Sequence, residues 1–573
     1  MSMSSSTPGQ PDSFAIARSG SIARWLHREN LLKISLWVVG LMWLLPFLAP
    51  FKAPPIPSFH GEISAAALGM LSVLVLPAFA ARLELPRIGL LALAFIGIII
   101  VQVALGRIAY HQEALLAALY LLWVTALIIL GGLFKRELGL ERVANTLAWF
   151  LLCGGLLSAV IGWAQNIDSS ALANVMMPRS LDRVWANLGQ ANQLGDYLAL
   201  ALVSAGYLFA VGKLRLFWAL AAALALVYVL QLTGSRATLL YFAGLLGMSV
   251  WFTCKEASPV NRRLLSFTAF GVIAFFCMPW IVALITAGSD MLIAPATNIK
   301  SAADRLRDSS FALDERPRIW TVALLMFQSA PLLGVGFRQF GWNHFAFNGA
   351  MPEPRVTGFT DNAHNLLLQT LAEFGIAGLC VLVVFSVLWL IGLFKQPRSP
   401  ANWWLWGLAL VIGAHSMLEY PLWYTFFLGI AAIVLGLSDG HRIKLQLSGD
   451  GRAACLVLIA VLAFGWLALA QLFRDYRVLE NFLAFRLRYM HATAEVNSQG
   501  KDRLLQLHRS SLLAPYVELG LARSISIDPD HLADKLVVNG RVMHLFPTDD
   551  VVFRQAMLLA LHGDQADAER QWS

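Results

Sequence analysis

Thirteen runs of apolar sequence leave this chain few choices of fold. They lie near residues 31–50, 64–80, 86–106, 114–134, 143–163, 192–211, 215–232, 237–254, 265–288, 366–394, 401–418, 422–437 and 453–472. A bilayer core takes about 20 helical residues at about 1.5 Å each, and a helix satisfies every backbone group of such a run in hydrocarbon. Of 573 residues, 58% are hydrophobic and 14% charged, whereas a soluble domain carries about a quarter charged residues. That balance excludes a disordered chain, a collagen-like fibre and a disulfide scaffold. Cys153, Cys254, Cys277, Cys380 and Cys455 all lie in or beside apolar runs, with no CxxC pair from which to build a zinc ribbon. The expected fold is an all-α polytopic membrane protein with about 13 transmembrane helices.

Basic residues orient it. Residues 1–30 are polar, carry Arg18, Arg24 and Arg28, and read as a cytoplasmic tail without a cleavable leader. With that end inside, nineteen Lys and Arg fall in cytoplasmic segments. Only Lys52, Arg107, Arg179, Arg183 and Arg236 fall in short outer loops. Such a bias is the positive-inside signature, and one miscounted span would reverse it downstream. The organisation that follows is helices one to nine over 31–288, a long outward loop subdomain at 289–365, helices ten to thirteen over 366–472, and an outward α-helical domain at 473–573. Small residues around His562-Gly563-Asp564 suggest hairpins of the tetratricopeptide kind in that last segment.

Polar residues at a membrane are costly, and here they gather in five places, all on the outer side of a topology drawn without them. Gln190, Asn192 and Asp196 lead into the sixth run, where amides also serve as ordinary helix caps. "QLTGSRATLL" is a tight turn with Arg236 as its only charge, suited either to snorkelling or to gripping a diphosphate. In the long loop, Arg316 and Arg318 stand at the start of an amphipathic helix expected from about Ile319, with Asp314 and Glu315 as possible partners. Gly334 and Gly336 form a GxG without the strand–helix context of a nucleotide site. Asp361, Asn362, His364 and Asn365 precede the tenth run, and Asn365, Gln369 and Glu373 continue as a polar stripe at i, i+4 and i+8. "HSMLEYPLWYTFF" places His415, Glu419, Tyr420 and Tyr424 in a short corner, where Glu419 is expected to orient an Arg or a His from elsewhere.

Fixed guanidiniums with one histidine and several carboxamides suit an anionic leaving group and proton removal from a nucleophile. G-x-S-x-G, the P-loop and HExxH are all absent, and Asp528-Pro529-Asp530 reads as a turn. No metal, no cofactor and no nucleic-acid partner are expected.

"DNAHNLLLQTLAEFGIAGL", "APLLGVGFRQF" and "TGSRATLL" resemble the Wzy/WaaL superfamily of O-antigen polymerases and ligases. "NLGQANQLGDYLAL" and "LEYPLWYTFFLGI" resemble its PglL-type branch, the bacterial protein O-oligosaccharyltransferases. The resemblance implies a GT-C-like membrane enzyme, a glycosyltransferase of the bacterial inner membrane with its site facing the periplasm. It also implies transfer of a preassembled glycan from undecaprenyl diphosphate to Ser or Thr of pilin or another exported protein, metal-independent and, as we expect, inverting. Carried onto this sequence, it assigns Arg236 and Arg318 to the lipid diphosphate, His364 to the essential histidine, and Gln190 and Tyr420 to acceptor-branch positions. Arg316 is the alternative to Arg318. Asn192, Asp361, Asn365 and Glu419 complete the expected substrate-binding set, with Asp361 close enough to orient the His364 ring if that turn is helical. An O-antigen ligase acting on lipid A–core and a Wzy-type polymerase share this chemistry. A lipid-linked sugar flippase would instead want polar groups near the midplane and repeated halves, and a non-catalytic scaffold would not need His364.

Overall fold

The computed structural model describes residues 28–287 apart from 51, 53 and 179–182, residues 315–445 apart from 352–355 and 357, residues 452–488, and residues 502–572 apart from 503 and 525. The expected cytoplasmic tail up to residue 27, and Asp314, lie outside them. Each expected apolar run coincides with a helical segment: α1 Arg28–Met42, α2 Phe59–Val73, α3 Gly89–Ala104, α4 His111–Glu137, α5 Leu140–Asn166, α6 Ala191–Ala210, α7 Leu216–Thr233, α8 Ala237–Lys255 and α9 Pro259–Ala287. Beyond the long loop follow α12 Leu366–Phe394, α13 Pro400–Ser416, α14 Thr425–Ser438 and α15 Arg452–Arg488. Among the described residues nine helices are long and apolar enough to cross a membrane, and the bent pair Phe59–Val73 with Leu76–Arg82 would make a tenth. Two of the remaining runs, Gly89–Ala104 and Thr425–Ser438, form shorter apolar helices.

At the centre stands α6. Of its 20 residues only Asn192 and Phe209 are not buried, and it packs against α5, α7, α9 and α13. Without a hydrophobic drive between helices in lipid, close packing of small residues takes over. Where α4 crosses α14, a Cβ on Gly436 would lie 2.2 Å from the Ile128 carbonyl oxygen. At the other extreme is α15, whose Leu456 and Leu467 are 67% and 69% exposed. An apolar helix this bare is stable only against hydrocarbon.

Among the described residues of the C-terminal segment, α16 Ala514–Ala522, α17 Leu532–Met543, α18 Asp549–His562 and α19 Gln565–Trp572 lie outside this layer. α18 ends on Gly563 in the left-handed region, φ 98°, and α19 begins two residues later, forming the expected short hairpin. Among the described residues, two strands, Glu84–Pro86 and Arg442–Lys444, pair antiparallel.

The long loop contributes α10 Arg316–Ser329 and α11 Phe340–Gly349. α10 begins three residues before the expected Ile319, because Pro317 suits the first turn, and it buries Ile319, Val322, Ala323 and Met326. The GxG segment is a wedge. α12 is interrupted at Gly375 (φ 63°, ψ −159°), and the chain at 331–336 enters the gap. There Val335 N–H donates to the Ala372 carbonyl at 2.9 Å and Ile376 N–H donates to the Pro331 carbonyl at 2.9 Å. Gln102 closes the break, its amide donating to the carbonyls of Leu333 at 2.7 Å and Glu373 at 2.8 Å. The backbone groups that the interruption strands are thereby satisfied, as burial demands.

Candidate functional site

Helix starts build the site. Gln190 caps α6, its side chain accepting from Gln193 N–H at 2.6 Å. The α7–α8 turn passes through Gly234 in the left-handed region, φ 57°, and leaves Arg236 at the α8 N-cap. Arg316 is the first residue of α10. Asn365 caps α12, accepting from the N–H groups of Leu367 and Leu368 at 3.1 Å each. Residues from all four starts border or support one cavity of about 400 Å³, lined by Arg183, Gln190, Asn192, Arg236, Arg316, His364, Glu419 and Tyr420. Helix N-termini carry partial positive charge and unsatisfied N–H groups, so anions favour such a place.

Glu419 is its hub. His364 Nδ1 lies 2.8 Å from Glu419 Oε2, while Arg316 and the Asn192 amide both donate to Oε1 at 2.8 Å. Arg183 extends the chain, donating to Asn192 Oδ1 and to the Thr233 carbonyl at 2.8 Å each. Burial raises the Glu419 carboxyl pKa, but the His364 hydrogen bond and the nearby charges of His364 and Arg316 outweigh it and hold the carboxyl below its ordinary range. A carboxylate on Nδ1 fixes the tautomer, so Nε2 is the nitrogen with a lone pair to take a proton. His364 itself stands at φ 50°, the left-handed region, with its N–H donating to Asn362 Oδ1 at 2.8 Å. A non-glycine residue held there stores strain of the sort found where a side chain must be aimed. Tyr420 closes one wall, its ring edge-on to the imidazole with centroids 5.2 Å apart.

Several expected site residues are placed differently from the sequence expectation. Arg316 lines the cavity and Arg318 does not, because two residues are about 200° apart around a helix. Arg316 donates to Glu419 across the site at 2.8 Å. Asp361 does not orient His364. The turn is not helical, and the carboxylate instead faces Arg338 at 3.5 Å. Asn365 acts through the backbone, capping α12 directly behind the histidine. Arg183 was not among the expected site residues. Its only signal was its place among the five outer cations, since the contact to Asn192 needs the fold.

Two family descriptions match. Residues 220–383 match the family described as O-antigen ligase, and residues 403–573 match the C-terminal region of the virulence factor membrane-bound polymerases. A general O-oligosaccharyltransferase of Acinetobacter baylyi (strain ATCC 33305 / BD413 / ADP1) is 25% identical over 465 residues, 79% of this chain and 76% of that one. A ComP-specific O-oligosaccharyltransferase of the same organism is 24% identical over 387 residues, 67% of each chain. Together these matches support a PglL-type protein O-oligosaccharyltransferase of the Wzy/WaaL superfamily, the group that the sequence motifs resemble.

Proposed function

We propose that this protein transfers a preassembled oligosaccharide en bloc from undecaprenyl diphosphate to Ser or Thr hydroxyls of pilin or other exported proteins, at the periplasmic face of the inner membrane. One observation carries the reading: three guanidiniums (Arg183, Arg236 and Arg316) face one carboxylate and one imidazole in a cavity where helices begin. In the step we envisage, the acceptor hydroxyl oxygen attacks the anomeric carbon and its proton passes to His364 Nε2. The bond from that carbon to the diphosphate oxygen breaks, and the diphosphate departs with the electron pair. Fixed guanidiniums and helix N-termini stabilise the charge that accumulates on it without a divalent ion, each such donor typically worth about 2.7–4 kcal/mol in the barrier. Attack opposite the departing group inverts the anomeric configuration.

The test is reconstitution of purified protein with a lipid-diphosphate-linked glycan and a pilin acceptor in chelator, read by intact mass. Glycan should appear on the acceptor, and His364→Ala should lower the rate by about 10²–10⁴-fold. Activity that returns only with a divalent ion would overturn the mechanism. The O-antigen ligase match over 220–383 favours a second reading, with lipid A–core as acceptor. Co-expression with pilin in a host lacking its own ligase separates the two by which molecule gains mass.

A further inference from the structure

A second cavity, of about 350 Å³, lies behind Tyr420, which also lines the first. Its wall has the opposite character: Glu62, Glu113 and Asp361 against the single guanidinium of Arg338, with Tyr120, Tyr420, Trp423, Tyr424 and Tyr516 around them. Arg338 lies 3.5 Å from both Glu113 and Asp361, and Glu62 accepts from Thr425 N–H at 2.5 Å. Glu113 is 7% exposed, and its Oε1 has no hydrogen-bond partner among the described residues. A buried acceptor left in this state is costly, and a ligand's hydroxyl donor can recover the loss. Burial pushes the hydroxyl pKa of Tyr424 up to about 12, and raises those of Tyr420 and Tyr516 as well, so these phenols remain O–H groups.

We propose that this acidic, aromatic cavity is a saccharide subsite that holds the first sugar of the lipid-linked donor while its diphosphate occupies the cationic cavity. The inference rests on the reading above. Placement is its first support: Asp361 and Asn362 line the second cavity while His364, two residues on, lines the first. A carbon held at the junction has the diphosphate on one side and the ring on the other. The chemistry of the wall is the second. Its carboxyl oxygens accept from the neutral hydroxyls of a sugar, while flat aromatic faces match the apolar face of a pyranose. Size is the third, since the volume falls within the small-ligand range of about 300–1,000 Å³. The C-terminal segment closes this subsite, because Leu513 and Tyr516 stand in its wall, and Glu518 beside them accepts from the Tyr110 hydroxyl at 2.7 Å.

The test compares binding of two probes to the full chain in nanodiscs: bare polyprenyl diphosphate, and polyprenyl diphosphate bearing one N-acetylhexosamine. The sugar should tighten binding by roughly tenfold or more, the difference one hydrogen bond to a charged group makes. Glu113→Gln and Tyr516→Phe should each shrink that gain while leaving bare-probe affinity unchanged. Tyr516→Phe keeps the test decisive if loss of the Glu113–Arg338 pair unfolds the first variant. Equal binding of both probes, or a gain untouched by both variants, overturns the subsite and leaves the cationic cavity standing. A rise confined to the KM for the acceptor makes the cavity an acceptor groove and likewise overturns it. If neither probe binds, the diphosphate reading falls and the subsite falls with it.

Discussion

Glu419 is four residues past His415, in a corner where sequence offers it no local partner. In the fold it receives His364 and Arg316 from two other segments. Its lowered pKa has a defined consequence. A carboxyl whose native pKa is depressed contributes stability that is fully present above its ordinary value of about 4.3 and is lost as pH falls through the lowered native value. Glu419 therefore remains ionised through the range near 6.5 in which an imidazole ordinarily titrates. Glu419→Gln removes the acceptor that aims the ring, so kcat/KM should fall by at least about 10²-fold. The variant also loses the stability that the ionised carboxyl supplies, so its unfolding free energy should lie below that of the unaltered protein near neutral pH, and the gap should close as pH falls below about 4.3. A gap that stays constant on acidification would show that these partners do not hold the carboxyl ionised.

Among the elements, the interrupted α12 bears most directly on the site, since its Asn365 cap stands behind His364 and it is wedged open ten residues later, at Gly375. The wedge works only with glycine at its contact points. Gly334 stands at φ 70°, and a Cβ there would lie 2.2 Å from the Glu373 carbonyl carbon. Gly334→Ala should cost at least about 1–3 kcal/mol from the backbone strain alone, read as a lower unfolding temperature in detergent. Activity should fall with it, because Phe340 N–H, which donates to Glu373 Oε1 at 3.3 Å, holds α11 to the same break. An unchanged unfolding temperature would mean that the segment does not depend on this close approach. The sequence announces the helices through their apolar runs, and even the hairpin at Gly563 through its turn residues. It does not announce the wedge, because Gly334 and Gly336 look like any GxG until Gly375 is known to lie against them. Arg316 and Arg318 are alike for the same reason. Both are basic residues at a helix start, and only the start at Arg316 decides which one faces Glu419. Asp361, three residues from His364, was assigned by proximity along the chain, whereas the non-helical turn sends it to Arg338.

Across the whole molecule, polar groups divide between adjoining cavities, guanidiniums predominating in one and carboxyl groups in the other, with Tyr420 in the wall of both. Only the first of these was legible, because its residues sit in short motifs at the mouths of apolar runs. The second draws Glu113 from α4, Arg338 from the long loop and Tyr516 from the C-terminal segment, and no local pattern joins residues so far apart. What holds that segment against the helical layer is equally non-local. Glu518 is 3% exposed and receives Tyr110 from the layer, His508 at 2.5 Å, and Arg541 from α17. Glu518→Ala strands the buried Tyr110 hydroxyl and releases His508 and Arg541, a loss of about 1–3 kcal/mol for the buried group left unpaired. Hydrogen exchange should then quicken across residues 504–562 while α6 keeps its protection, since α6 is sealed by α5, α7, α9 and α13. Faster exchange in α6 as well would mean that the C-terminal segment supports the helical layer itself, not just the wall it adds to the acidic cavity.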